Sequence, residues 1–196
     1  MRPSVQLATY NNSCYNPGRS LAWRAAWLFI GLPVLRCGWL PSSGLRVALL
    51  RMFGARIGRG VVVHSDVSIK YPWHLVLGDD CWIGERCWID NLTTVRLGSN
   101  VCVSQGAYLC TGNHDWKDPS FGLRVEPIHI HDGAWVGAKA TLLPGTTMEQ
   151  GAIASAGSVI AGCVPAFEIF AGNPARFIRK RELREQMADA TVESVR

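Results

Sequence analysis

His114 stands apart from the other four histidines of this 196-residue chain. It lies within Thr111-Gly112-Asn113-His114-Asp115-Trp116, a polar and aromatic stretch that returns by Pro127 and interrupts a regular aliphatic pattern. Imidazole titrates near pH 6.5, so it can take and return a proton at neutral pH. A loop histidine can equally cap a turn. A second polar interruption, Asp90-Asn91, follows Ile89 and reads as a distorted corner. The other histidines are expected mostly at the surface: His64 and His131 at outward positions, His74 in a turn after Trp73, and His129 at the loop's return.

The pattern that must position these groups repeats every six residues. Leu77, Ile83 and Ile89 begin it; Leu97, Val103 and Leu109 continue it; Ile130, Val136, Leu142, Met148, Ala154 and Ile160 complete it. A fainter phase, Ile57, Val63 and Ile69, extends it towards the N-terminus. Strict alternation would have period two and an amphipathic helix 3.6, so a sustained step of six implies a coil whose flat faces each turn one aliphatic inward. Gly106, Gly133, Gly145, Gly151 and Gly157 beside Ala107, Ala134, Ala140, Ala152 and Ser158 supply corners and small inward side chains. With three faces per turn, about five coils stack between residues 57 and 165. The phase slips between Ile69 and Leu77 and between Ile89 and Leu97, and breaks widely between Leu109 and Ile130, ejecting a loop over residues 111–127. Binding and catalytic groups concentrate on such loops.

Composition bounds the reading. Hydrophobic residues make up 48% of the chain, enough for one main domain with a sizeable core. The net charge of +5 is mild, and basic residues crowd the ends without interleaved aromatics, which favours an anionic small molecule or membrane surface over nucleic acid. Seven cysteines without a CxxC pair, with Cys81 and Cys87 at small inward positions, point to buried thiols in a reduced, cytoplasmic protein. Residues 21–40 are strongly apolar, yet the uncharged run 25–35 is shorter than the roughly 20 residues a span requires. One or two helices packed on the solenoid are expected there, or else a peripheral helix touching the inner leaflet. The expected organisation is an N-terminal helical segment over 1–55, a solenoid over 56–170, and a basic tail over 171–196 with a short helix across 175–190.

The hexads, the loop carrying His114 and the tail Ala171-Gly172-Asn173-Pro174-Ala175-Arg176 together resemble the left-handed β-helix (hexapeptide-repeat) acyltransferases. The resemblance covers most of the chain and implies an all-β solenoid, a left-handed parallel β-helix. Tyr71-Pro72-Trp73, Asp90-Asn91-Leu92, Ser104-Gln105-Gly106-Ala107-Tyr108 and Thr111-Gly112-Asn113-His114-Asp115 are similar to the exopolysaccharide branch associated with colanic acid biosynthesis. That branch implies acetyl-CoA-dependent O-acetylation of a sugar hydroxyl on an exopolysaccharide precursor.

By the same resemblance, His114 is the general base of a direct transfer in a ternary complex, and the assembly is a homotrimer whose neighbouring subunit completes the donor groove. The matching coil places an acceptor contact at Asp90, where relatives carry asparagine; Asn91 is the alternative, and Asp115 either binds acceptor or shapes the loop. Trp135, Ala138 and Ala156 match the coenzyme A groove, and Arg176 and Arg179 match arginines that meet its phosphates, a task suited to guanidinium forks. Where relatives read Val-Thr-Lys-Asp, this chain has Ile160-Ala161-Gly162-Cys163, so Ala161 and Gly162 offer backbone contacts only, and Lys180 or Arg181 is the expected source of compensating charge. No metal is expected: a zinc-dependent solenoid enzyme needs a closely spaced second histidine after His114, and the next are His129 and His131. Two other readings stay open, acetylation of another small acceptor such as an amino sugar, antibiotic or alcohol, and a non-catalytic scaffold.

Overall fold

The computed structural model describes residues 4–39 and 42–184. It is a left-handed parallel β-helix of about six turns preceded by short helices. Three parallel sheets form its faces. The first stacks Arg56–Ile57, Leu75–Leu77, Val95–Leu97, Ile128–Ile130, Thr147–Met148 and Cys163–Val164. The second stacks Val62–Val63, Trp82–Ile83, Cys102–Val103, Trp135–Val136, Ile153–Ala154 and Glu168–Gly172; the third stacks Ser68–Ile69, Trp88–Asp90, Tyr108–Cys110, Thr141–Leu142 and Val159–Ile160.

The six-residue period is the register of this stack. Leu77 pairs with Leu97, Ile83 with Val103 and Ile89 with Leu109, so each aliphatic sits on its counterpart one coil along and leaves water almost completely. The smaller inward positions hold Cys81, Cys87, Ala107, Ala134, Ala140 and Ser158, all buried. Burial pushes the Cys87 thiol up to about 11, and its Sγ donates to the Ser104 carbonyl at 3.0 Å, the behaviour of an inert core thiol. Two corners per coil repeat a left-handed residue, glycine at Gly106, Gly133, Gly151 and Gly157, but Asp80, Arg86 and Asn100 elsewhere.

The third corner, between the third face and the next first face, is different. Here the phase slips insert Tyr71 and a 3₁₀ turn, Pro72–His74, then Asn91 and its neighbours, then the long loop. All the irregularity of the first three coils therefore accumulates on one edge.

The N-terminal segment packs beside that edge. Ser20 caps the helix Leu21–Ala26 by accepting from the Trp23 amide, and the chain continues through a π-helical stretch, Trp27–Gly31, into Leu32–Arg36. Trp27 is buried and its Nε1 donates to the Ile69 carbonyl at 3.0 Å. A side chain at Gly31 would run into the Trp27 ring, so glycine lets this helix seat its tryptophan. A last helix, Ser43–Met52, leads into the first coil. No helix among the described residues is long and apolar enough to cross a membrane.

The expected C-terminal helix is corrected in part. Ala175–Lys180 is a strand that turns back antiparallel on Glu168–Gly172, with Arg179 opposite Ile169 and Arg176 opposite Ala171. The open edge of the last coil offers unpaired backbone groups, and a strand satisfies them where a helix could not. The remainder of the expected helix, 185–190, lies outside the described residues. The Arg181 Nη1 donates to the carbonyls of Gly133 and Gly151 at 2.8 and 3.0 Å, stapling equivalent corners of successive coils.

Candidate active site

The loop of His114 is a hairpin, Gly112–His114 paired antiparallel with Leu123–Val125. Its base is anchored by buried Thr111, whose hydroxyl donates to the Asp90 carbonyl at 3.0 Å while its carbonyl receives the Glu126 amide at 2.9 Å. Its tip is shaped by Asp115, which pairs with Arg124 and accepts from the Lys117 amide. Asp115 thus organises the hairpin and does not line the cleft beside it.

His114 is half-buried and its ring stacks on Phe121, centroids 4.4 Å apart and planes 7° from parallel. Its Nδ1 lies 2.8 Å from the Phe121 carbonyl oxygen. A carbonyl can only accept, so Nδ1 carries the hydrogen and the Nε2 lone pair is left for chemistry. A backbone carbonyl of the same hairpin thus orients the ring.

A cleft of about 460 Å³ opens at His114. Every coil of the irregular edge contributes to it: Lys70 and Tyr71, then Asp90 and Leu92, then Tyr108 and Cys110, with Asn113 from the hairpin. Asp90 is largely buried, 3.1 Å from the Lys70 ammonium, and its second oxygen accepts from the Tyr108 hydroxyl at 3.4 Å. Burial foremost, with the neighbouring Cys110 side chain and the Asp90 carboxylate, pushes the Tyr108 phenol well above its ordinary value, so it stays protonated and donates.

Asn91 faces the opposite way. It is wholly buried, its Oδ1 accepting from the Tyr71 amide at 2.9 Å and its Nδ2 donating to the Tyr71 carbonyl at 2.7 Å. The structure therefore brings Asp90 to the cleft and withdraws Asn91 from it.

The remaining wall comes from residues whose role the sequence did not disclose. Tyr10, Asn12 and Tyr15 of the N-terminal arm, with Arg24 of the first helix, close over the cleft. The arm is held by Gln6 N–H to Pro119 O at 2.8 Å, Tyr15 OH to Leu92 O at 2.7 Å and Trp73 Nε1 to Pro17 O at 2.7 Å. Only the local composition of Tyr10-Asn11-Asn12-Ser13-Cys14-Tyr15, polar and aromatic before an apolar helix, hinted at a separate task.

His64 and His131 are exposed, and His129 is half-buried on the first face. His74 departs from the surface position expected of it. It is half-buried behind the cleft, edge-on to Tyr71 at 5.9 Å. Burial is the largest cause that lowers its pKa below the ordinary 6.5. The folded state thus binds this proton less readily than the unfolded chain, so the associated stability is present above pH 6.5 and is lost as pH falls through the lowered value. Urea unfolding between pH 8 and 5 should show a steeper acid loss in wild type than in His74→Gln; equal slopes would contradict it.

The donor candidates are spread elsewhere, and none lines the His114 cleft. Trp135 stands outward on the second face with its Nε1 donating to Ser104 Oγ at 2.8 Å. Trp135, Ile153, Ile169 and Arg179 form one cross-strand row, so three strand spacings of about 4.8 Å separate its ends. Arg176 is exposed on the same appended strand. Ala138 and exposed Ala156 occupy one corner of successive coils, joined by Gly157 N–H to Ala138 O at 2.8 Å. Ala161 and Gly162 are exposed at the far end of the third face, on the edge from which the hairpin leaves two coils earlier. Among the described residues no group of three or more His, Cys, Asp or Glu is placed to hold a metal ion.

Residues 74–110 match the family described as hexapeptide repeat of succinyl-transferase. Over 136 residues the chain is 39% identical to WcaF of Escherichia coli (strain K12), named as a colanic acid biosynthesis acetyltransferase, covering 69% of this chain and 75% of that protein. Among solved structures, the hexapeptide-repeat acetyltransferase VCA0836 of Vibrio cholerae O1 biovar eltor, complexed with acetyl coenzyme A, superposes with a TM-score of 0.73 at 21% identity, over 82% of this chain and 88% of that one. A galactoside acetyltransferase in complex with coenzyme A gives 0.73 at 22% identity, over 90% and 92%. At these identities the two structures speak to the fold.

Proposed function

This chain belongs to the hexapeptide-repeat acyltransferases, and we propose on that premise that it moves an acetyl group from acetyl-CoA to a sugar hydroxyl of an exopolysaccharide precursor. The observation that carries the reading is His114, its Nδ1–H tied to the Phe121 carbonyl and its Nε2 free at a cleft of about 460 Å³. A sugar hydroxyl is a poor nucleophile at neutral pH. Nε2 takes its proton as the oxygen attacks the thioester carbon, the tetrahedral intermediate collapses with cleavage of the C–S bond, and the proton passes to the departing thiolate. Products are an acetyl ester and free coenzyme A, with no acyl-enzyme.

Asp90, held by Lys70 and the Tyr108 hydroxyl, offers the acceptor a fixed carboxylate beside two donors. The relative named for colanic acid biosynthesis supports a glycan acceptor. Acetyl-CoA as donor is supported by the two structural neighbours that hold it or coenzyme A. Because Trp135, Ala138, Ala156, Arg176 and Arg179 lie away from the His114 cleft, donor and base meet when a neighbouring copy's groove faces the hairpin, in a homotrimer acting on the cytoplasmic side of the membrane.

Thiol release from acetyl-CoA against a panel of nucleotide-sugar, oligosaccharide and lipid-linked acceptors tests this. Acceptor-dependent release by the trimer, and none by the monomer, is expected. Absence of coenzyme A binding together with absence of release would return the chain to a scaffold.

A further inference from the structure

A base that draws a proton from a sugar hydroxyl can draw one from water by the same step. Water attacking the thioester carbon, with its proton passing through His114 to the departing thiolate as the C–S bond breaks, yields acetate and free coenzyme A. Transfer to a sugar is therefore productive only where water is kept from the Nε2 lone pair. The N-terminal arm lies where this matters. Tyr10 brings its ring to 5.8 Å from the His114 imidazole, tilted by 58°, while Phe121 takes the stacking position on that imidazole. Asn12 lines the same cleft, and its carboxamide has no side-chain partner among the described residues. A carboxamide both donates and accepts, which suits a sugar hydroxyl. Local turns give the arm its shape: the Thr9 hydroxyl donates to the Gln6 carbonyl, Asn11 Oδ1 accepts from the Ser13 amide and the Asn12 carbonyl from the Tyr15 amide, each at 2.8 Å. Residues 4–14 are nevertheless exposed throughout, and hydrogen bonds at the two ends tie the arm down, Gln6 to Pro119 of the hairpin, then Tyr15 to Leu92 and Pro17 to Trp73. A segment with so few buried contacts opens far more readily than the solenoid beneath it.

We propose that residues 4–19 form a strap that decides which oxygen reaches His114: Tyr10 is a positioning residue that shields the base from water, and Asn12 hydrogen-bonds the sugar. This deepens the acetyl-transfer reading and rests on it. The strap opens to admit the sugar and closes over it, so that the hydroxyl beside Nε2 belongs to the acceptor. A passive tie across the fold would account for the hydrogen bonds at the two ends. It would leave unexplained the Tyr10 ring against the imidazole and the Asn12 carboxamide in the cleft between them.

Parallel measurement of acetyl ester and of acetate formed from labelled acetyl-CoA by the full chain, with and without the sugar acceptor it turns over best, shows how transfer divides between sugar and water. Wild type should form ester with little acetate. Gln6→Pro keeps every side chain of the cleft but has no N–H for Pro119, and it fixes φ at about −65°, away from the −123° of Gln6. Both Gln6→Pro and Tyr10→Ala should raise acetate formation by about tenfold or more and raise the acceptor KM, with coenzyme A affinity retained. Tyr10→Phe keeps the ring and should restore the coupling that alanine loses, whereas Asn12→Ala should raise the acceptor KM. Adding His114→Ala to Gln6→Pro should abolish the acetate, because the leak runs through the same base. An unchanged division between ester and acetate in both Gln6→Pro and Tyr10→Ala would overturn the proposal. Slower ester formation without a rise in acetate would overturn it equally, as the mark of a strap that only supports the fold. In both cases ester formation by the wild type leaves the acetyl-transfer reading intact; a wild type that forms no ester and binds no coenzyme A would remove that reading and the strap's role with it.

Discussion

His114→Ala should lower acceptor-dependent acetyl transfer by about 10²- to 10⁴-fold, the usual contribution of a general base. Coenzyme A affinity should stay within about twofold, because the loss falls on the transition state and not on donor binding. The size of the effect follows from geometry. Phe121 fixes the ring twice, by stacking on its face and by receiving its Nδ1 hydrogen, so Nε2 stands ready without the cost of selecting a tautomer. His114→Asn separates position from chemistry. Its amide can still donate to the Phe121 carbonyl but has no basic nitrogen, so it should keep the hairpin's stability and lose the rate as fully as alanine. Near-wild-type turnover in either variant would remove His114 from the mechanism.

Asn91→Ala should destabilise the fold by about 1–3 kcal/mol, the cost of leaving one buried N–H without a partner. That N–H belongs to Tyr71, whose carbonyl also loses the Asn91 amide but keeps the His74 amide at 3.0 Å, and the site that holds Asn91 is closed to solvent. Asn91→Asp should be similarly harmful, since a carboxylate can accept from the Tyr71 amide but presents an oxygen to the Tyr71 carbonyl unless it is protonated. Tyr71 lines the cleft and stacks on Trp73 at 4.9 Å, which in turn holds the N-terminal arm at Pro17. Weaker acceptor binding should therefore accompany the lost stability. Urea denaturation gives the first quantity and KM for the acceptor the second; a change under about 0.5 kcal/mol, typical of surface sites, would show that the corner is held by other contacts.

Neighbouring residues of one motif thus serve opposite ends. Asp90 and Asn91 follow the same inward aliphatic, yet the strand alternates its side chains, so one reaches the cleft and the other the interior. Turn chemistry and ligand contact were both legible as candidate roles for each. Only the packing of the Tyr71 backbone against Asn91 separated them.

The solenoid was readable because its information is local and repeated. Each hexad states the same inward position, and errors in one coil are outvoted by the register of the next, from Leu77 and Leu97 through Ile130 and Met148. The phase slips likewise marked the edge that carries the site, since an inserted residue must leave a stack whose strands cannot stretch. The tail was misread in part because Ala175–Lys180 takes its conformation from the open strand edge it covers, a partner that propensity does not register.

By itself, then, the sequence determined the β-helix, the edge where its regularity fails and the histidine that edge presents. The tertiary structure alone decided what surrounds that histidine. Tyr15 reaches Leu92 and Trp27 reaches Ile69 across separations of 77 and 42 residues, closing the arm and Arg24 over a cleft built from three coils. A periodic pattern encodes contacts between equivalent positions of neighbouring coils; contacts made once, between a non-repeating segment and a distant corner, leave no period to read.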